Sequence, residues 1–291
     1  MTEAFDQLFR DLRPRLHRYC ARMTGSVVDG EDVVQQALVQ ALEALPRMAV
    51  PDRPDAWLFR VAHNAAIDFL RRRQRREGWI TDTDPEGLID PVSEAEQRQV
   101  AAASLHLFMH LPPAQRAAVI LMDVLGHSLQ EIVEVLDMTL PAVKAALHRG
   151  RIRLRALATL PDDRPPPMLT AALRQRLATY VARFNARDFD AIRAAMADEV
   201  RLDLVGRAEA RGRQAVGRYF TNYAGLNDWR LVSGLVDGRP AALVCDPATR
   251  RPIYFVLFDW SPDGGLAVIR DFRYARYALE GAEIVTDPSA R

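Results

Sequence analysis

Apolar side chains recur every three or four positions through the opening stretch. Phe5, Leu8, Phe9, Leu12, Leu16 and Tyr19 trace one face of a helix that Gly25-Ser26 interrupts. A second helix follows in VVDGEDVVQQALVQALEAL. Val33, Val34, Ala37, Leu38, Ala41, Leu42 and Leu45 form its apolar side, and Asp29, Glu31 and Asp32 suit its positive N-terminal end. Pro46, Pro51 and Pro54 bracket a loop. The third helix, DAWLFRVAHNAAIDFLRRRQRR, ends on Arg71, Arg72, Arg73, Arg75 and Arg76. Trp57 shares the spacing of Leu58 and Val61, which places it in the core, with stacking on a nucleic-acid base as the alternative.

The pattern resumes at Leu111, where Pro112-Pro113 fits a first helical turn that needs no backbone N–H. Ala117, Ile120, Leu121 and Val124 continue at helical spacing, and Gly126 punctuates. Ser128 and Glu131 have the spacing of a capping box for a helix over Leu129–Leu136 that buries Ile132, Val133 and Leu136. A short turn at Asp137-Met138 leads to Thr139, a second cap, and to a helix over about 140–157. Val143, Leu147, Ile152 and Leu154 anchor that helix. Lys144, His148, Arg149, Arg151, Arg153 and Arg155 populate much of the rest, and no acid occurs from Thr139 to Leu160. Two helices joined by a tight turn, the second one basic, form the geometry that brings side chains to base edges and phosphates. The bland alternative is an amphipathic surface helix with solvated arginines. Lys144 is the single lysine among 39 basic residues.

AWLFRVAHNAAIDFLRRRQRR resembles conserved regions 2.3 and 2.4 of bacterial extracytoplasmic-function sigma factors. DGEDVVQQALVQAL resembles region 2.2, and Leu111–Arg155 resembles region 4. The three motifs stand in the family's order over roughly the first 160 residues. The resemblance implies two partners, core RNA polymerase and promoter DNA. It implies that Asp32, Gln35 and Gln36 dock on the polymerase clamp helices. The loop Arg47–Pro54 and the following helix would read the −10 element through Arg60, His63, Asn64 and Asp68, with a non-template base held out of the stack. Asn64 and Asp68 lie one turn apart, and Asn64 offers both a donor and an acceptor to a base edge. Arg71, Arg72 and Arg75 would hold phosphates. The −35 element would meet Ala142, Lys144, Ala145, His148, Arg149, Arg151 and Arg153. Two departures bear on −35 specificity. Val133 stands where the family has alanine, and Ala142-Val143-Lys144-Ala145 replaces a Thr-Val-Lys-Ser run, which removes two hydroxyls.

Beyond these helices the texture changes twice. Acidic residues with Gly78, Pro85, Gly87 and Pro91 make 78–104 an inter-domain linker; in the family it threads toward the polymerase cleft. PDDRPPP, residues 161–167, is a stiff extended linker. After it the chain reads helix (168–186), helix (188–196), strand (199–205) and helix (211–223). Strands follow at 229–236, 241–245, 252–260 and 266–277, with turns at Asp237-Gly238 and Asp263-Gly264-Gly265. That order, with ARGRQAVGRYF in the third helix, resembles the SnoaL-like cone, a domain that some extracytoplasmic-function sigma factors carry. The WLPEP-like and DGGGR-like signatures of that set are not present as such; SPDGGL is a faint echo.

The expected fold class is multidomain: a σ2-like helical bundle over 1–77, a σ4-like helix-turn-helix domain over 105–160 and a SnoaL-like α+β cone over 168–280. The cone carries a curved, mostly antiparallel sheet, and a tail spans 281–291. A net charge of +1 hides basic helices separated by an acidic linker. Two cysteines far apart fit a reducing cytoplasm, and neither a leader nor a membrane span is visible. No metal-ligand spacing or phosphate loop appears, so no cofactor is expected.

All six histidines precede the third domain, which excludes a histidine base there. Asp203, Asp259, Asp271, Tyr219, Tyr223 and Tyr254 remain, with Arg201, Arg211, Arg270 and Arg273 able to pair the carboxylates. Trp229, Phe255, Phe258, Trp260 and Phe272 have core spacing. The reading is a non-enzymatic sigma subunit whose third domain regulates, by contacting an anti-sigma factor, a small ligand or the chain itself. A helix-turn-helix regulator working without polymerase, and a SnoaL-type enzyme fused to a DNA-binding module, stay open as alternatives.

Overall fold

Helices α1 (Thr2–Thr24), α2 (Val27–Ala44) and α3 (Pro54–Glu77) form where the periodicity places them. The computed structural model describes residues 2–47, 51–77, 104–160, 164–165, 167–225 and 229–286, so the acidic linker lies almost wholly outside the described residues. Ser26 starts α2, its Oγ accepting from the amides of Val28 and Asp29. Gly30 lets α1 and α2 meet closely, because a Cβ there would lie 2.6 Å from the Ala21 nitrogen. Glu31, expected only to complement the helix end, is fully buried and paired with Arg13.

Region 105–160 holds α4 (Leu105–Met109), α5 (Pro113–Val119), α6 (Leu129–Leu136) and α7 (Leu140–Ala158), with a π-helical turn at Ile120–Val124. The capping box is formed: Ser128 N donates to Glu131 Oε2 (2.7 Å), and Glu131 N donates to Ser128 Oγ. Asp137 closes α6 in the left-handed region (φ 56°), and Thr139 Oγ1 caps α7. Three apolar assignments change. Val135 is buried in place of the half-buried Val133, Leu42 is 46% exposed and Ile152 is 49% exposed. The two helical groups share one apolar cluster, running from Phe5 and Tyr19 through Phe59 to Phe108, Ile120 and Leu154. They form a single unit, Met1–Asp163.

The second unit is Arg164–Arg291. It contains α8 (Ala171–Asn185), α9 (Phe189–Ala194) and α10 (Arg213–Ala224). Its strands are β1 (Met196–Leu204), β2 (Ala208–Arg211), β3 (Arg230–Val236), β4 (Arg239–Cys245), β5 (Pro252–Trp260), β6 (Leu266–Asp271) and β7 (Ile284–Thr286). The sheet order is β2-β1-β6-β5-β4-β3-β7, antiparallel except for β1 beside β6. Helices and sheet enclose a core of Leu177, Phe184, Phe220, Val244, Tyr254 and Ile269. This is the α+β domain with a mostly antiparallel sheet expected from the sequence. Asp237 (φ 49°) and Gly238 (φ 74°) make the β3–β4 turn, both left-handed as a tight hairpin requires. The segment expected as a tail, 281–291, contributes β7, which pairs with β3, so 284–286 belong to the sheet.

Candidate nucleic-acid interface

Helix α3 presents Arg60, Asn64, Asp68, Arg71, Arg72 and Arg75 on exposed positions. Positions 60, 64, 68, 71 and 75 are spaced by three or four, so they form one stripe. Its acid is locally matched, with Asp68 Oδ1 3.6 Å from an Arg71 nitrogen. Arg72 donates to Gln36 Oε1 (2.9 Å), which ties α3 to α2. His63 sits differently from the rest of the expected −10 set. Its Nδ1 is 2.7 Å from the Tyr19 hydroxyl, and burial lowers its pKa to about 4, so the ring is neutral at pH 7. Trp57 is half-buried against the apolar core.

On α2, Asp32 is exposed and Gln35 and Gln36 are half-buried. Val39 (49% exposed) and Leu42 extend the same helix toward its end as apolar surface. Periodicity alone had placed Leu42 inside.

The basic helix α7 divides into two kinds of cation. Lys144 and Arg153 are exposed, while Ala142, Ala145, His148 and Arg149 are half-buried. Arg151 is turned onto Asp123 in a two-pronged pair, with Nε 2.8 Å from Oδ2 and an NH2 contact to Oδ1. The Asp123 side chain is fully enclosed. Such a pair anchors α7 to the preceding π turn, and it holds the guanidinium that the sequence assigned to −35 DNA.

The two groups of DNA-type residues also touch each other. Arg53, in the loop before α3, lies 2.6 Å from Glu131 and 3.0 Å from Glu134 of α6. Arg60 of α3 lies 3.0 Å from Asp137, in the helix-turn-helix turn. Beneath these pairs the Phe59 and His127 rings meet edge-on at 4.8 Å, and Arg15 covers Phe59 while reaching His127 Nε2. Burial and then Arg15 push the His127 pKa down. Arg116 is buried, and its guanidinium donates to the carbonyls of Met23, Met109 and Leu111.

In the second unit the candidate carboxylates Asp203, Asp259 and Asp271 separate. Asp259 is exposed, and Asp203 is paired with Arg270 (3.1 Å). Asp271 is fully buried and accepts from Tyr219 Oη (2.9 Å), Tyr223 Oη (2.8 Å) and the Arg273 amide (2.8 Å). Tyr254 Oη lies 3.3 Å from Tyr223 Oη. Burial raises the Asp271 pKa, and the tyrosine and amide donors oppose it. Trp229, Phe255, Phe258 and Phe272 are buried core residues, and Trp260 is half-buried. Among the described residues no group of three or more His, Cys, Asp or Glu is placed to hold a metal, and no helix is long and apolar enough to cross a membrane.

Comparison with known proteins bears on the first unit directly. Residues 8–76 match the Sigma-70 region 2 family and residues 105–154 match Sigma-70, region 4. The chain is 27% identical over 259 residues to the ECF RNA polymerase sigma factor SigG of Mycobacterium tuberculosis, covering 79% of this chain and 70% of that one. It is 32% identical over 155 residues to the ECF RNA polymerase sigma factor SigM of the same species, covering 53% of this chain and 76% of that one. The chain belongs to the extracytoplasmic-function sigma factors. Sigma factors of this family bind core RNA polymerase and promoter DNA. Among solved structures, that of the Mycobacterium tuberculosis sigma factor SigJ is similar over 91% of this chain and 95% of that one, at 21% identity and a TM-score of 0.35.

For this sigma factor, sequence reasoning missed three features. The exposed apolar pair Val39 and Leu42 breaks the buried stripe of α2 late. The acids Glu131, Glu134 and Asp137 face arginines some 80 residues away, which no local pattern announces. Arg116 drew no reading from the sequence, although its place among apolar neighbours in QRAAVIL was a signal of burial.

Proposed function

We propose that this sigma factor reads the −10 element with the exposed stripe of α3 and the −35 element with the exposed side of α7, and docks on polymerase through α2. The observation that carries the reading is the α3 stripe. Asn64, an exposed residue whose side-chain amide offers both a donor and an acceptor, stands between Arg60 and the phosphate-directed Arg71, Arg72 and Arg75. In α7, Lys144 and Arg153 take the direct DNA roles; Arg151 acts by fixing the helix through Asp123. The docking face on α2 joins the polar positions Asp32, Gln35 and Gln36 to the exposed apolar pair Val39 and Leu42 further along the helix. Such a subunit works where the polymerase is, in the cytoplasm.

The fused cone has a regulatory role in this reading. A short proline-rich connection keeps its local concentration near the first unit high. Its buried Asp271–tyrosine cluster is a satisfied polar core, which supports a non-catalytic domain.

Promoter-directed initiation by purified polymerase core tests the assignment. Asn64→Ala is expected to weaken promoter opening while polymerase binding is kept. Equal loss of both would remove Asn64 from base reading, and no initiation by the wild-type chain at any promoter would overturn the whole assignment.

A further inference from the structure

We propose that the acidic face of the helix-turn-helix, Glu131, Glu134 and Asp137, is an internal stand-in for promoter phosphates that helps to hold the first unit closed. The proposal rests on the reading that α3 and its flanking arginines meet promoter DNA. Arg53 and Arg60 are the cations at the leading end of that surface, and both are occupied by carboxylates at 2.6–3.0 Å. A carboxylate and a phosphate offer a guanidinium the same paired oxygens. DNA and α6 therefore compete for the same two side chains.

Geometry makes the competition exclusive. The −35 and −10 elements are about 25 base pairs apart, roughly 85 Å of B-form DNA at 3.4 Å per pair. A compact unit of this length is only about 40 Å across. With α3 packed on α6, the two reading helices cannot span both elements, so engagement requires the clasp to part. The clasp is the solvent-facing part of that contact. All five of its charged side chains are partly exposed, from 28% for Glu131 to 78% for Asp137. Exposed pairs of this kind are individually weak and screened by salt. The buried joint beneath them, Arg116 on the Met23 carbonyl and the Phe59–His127 ring contact, has to part as well, so polymerase and promoter binding supplies the opening and the clasp sets how easily it starts.

The test uses the full chain with the double substitution Glu134→Gln and Asp137→Asn. Glutamine keeps the α6 helix, and asparagine tolerates the left-handed backbone at φ 56°. Glu131 is left alone because it completes the Ser128 cap. Hydrogen exchange on the free protein reads the packed state, and initiation with core polymerase reads activity. The variant should exchange three- to tenfold faster at the start of α3 and in α6, an order-of-magnitude figure for losing roughly two exposed pairs. Initiation should rise by a similar factor. Added salt should speed the wild type toward the variant and change the variant little.

Unchanged exchange would overturn the clasp, whatever happens to initiation. Faster exchange with unchanged initiation would overturn its restraining role. The exchange measurement needs neither DNA nor polymerase, so it stands even if the wild type fails to initiate and the promoter assignment itself falls.

Discussion

Arg116→Met isolates the buried joint between the two helical groups of the first unit. Arg116 is 4% exposed, and its guanidinium spans three carbonyls from separate places: Met23 in the last turn of α1, Met109 in α4 and Leu111 beyond it. Burial lowers its pKa to about 10, and nearby Arg73 adds to this, so it still carries charge at pH 7. Methionine fills similar length without donors. Three charge-assisted bonds at about 1.5 kcal/mol each, less about 1 kcal/mol regained from apolar contact, leave a loss of roughly 3–4 kcal/mol. For a unit of this size that lowers the midpoint of its thermal transition by on the order of 10 °C. Scanning calorimetry of the full chain separates this transition from that of the second unit, which should not move. Arg116→Lys keeps the charge but collapses the fork to a point, and should lose a large part of the same stability. A loss below about 1 kcal/mol for Arg116→Met would refute the claim that this side chain joins the groups.

Four further outcomes are expected. His63 is neutral in the fold, with its pKa at about 4 against about 6.5 when unfolded, so its contribution is complete above pH 6.5 and is lost as pH falls toward 4. The loss reaches roughly 3 kcal/mol, and His63→Gln should flatten the pH dependence of the first transition; an unchanged slope would contradict the assignment. Arg153→Ala should lower the salt slope of −35 binding by about one with stability kept. Arg151→Ala should instead destabilise the first unit by about 3 kcal/mol, because it strands the enclosed Asp123, and calorimetry distinguishes the two. Asp271→Asn offers one oxygen where two accept, and should cost the second unit alone about 1–3 kcal/mol; an unshifted second transition would show the tyrosine cluster to be dispensable.

Much of this was legible because local chemistry marks its own position. Ser128, Glu131 and Thr139 cap helices by contacts within three residues, so α6 and the start of α7 follow from the letters. β5 falls at the expected residues because a run of β-branched and aromatic side chains is bounded by turns. What was not legible depends on partners distant in sequence. A cation on α7 looks the same whether it faces solvent, as Arg153 does, or Asp123, as Arg151 does. Leu42 and Ile152 sit near an apolar stripe, but periodicity does not say where the covering helix ends. β2 and β7 are four and three residues long, too short for alternation to show. The acids of α6 gain their meaning only when α3 is laid against them.

The strand β7 gives residues 284–286 a protective duty. It covers the Gly234–Val236 margin of β3, and the fit is close enough that a Cβ on Gly234 would come 2.7 Å from the Val285 carbonyl. Trimming the protein after Leu279 would bare that margin, offering a row of unmated amides and carbonyls to any neighbouring molecule. A chain shortened in this way should therefore precipitate or self-associate.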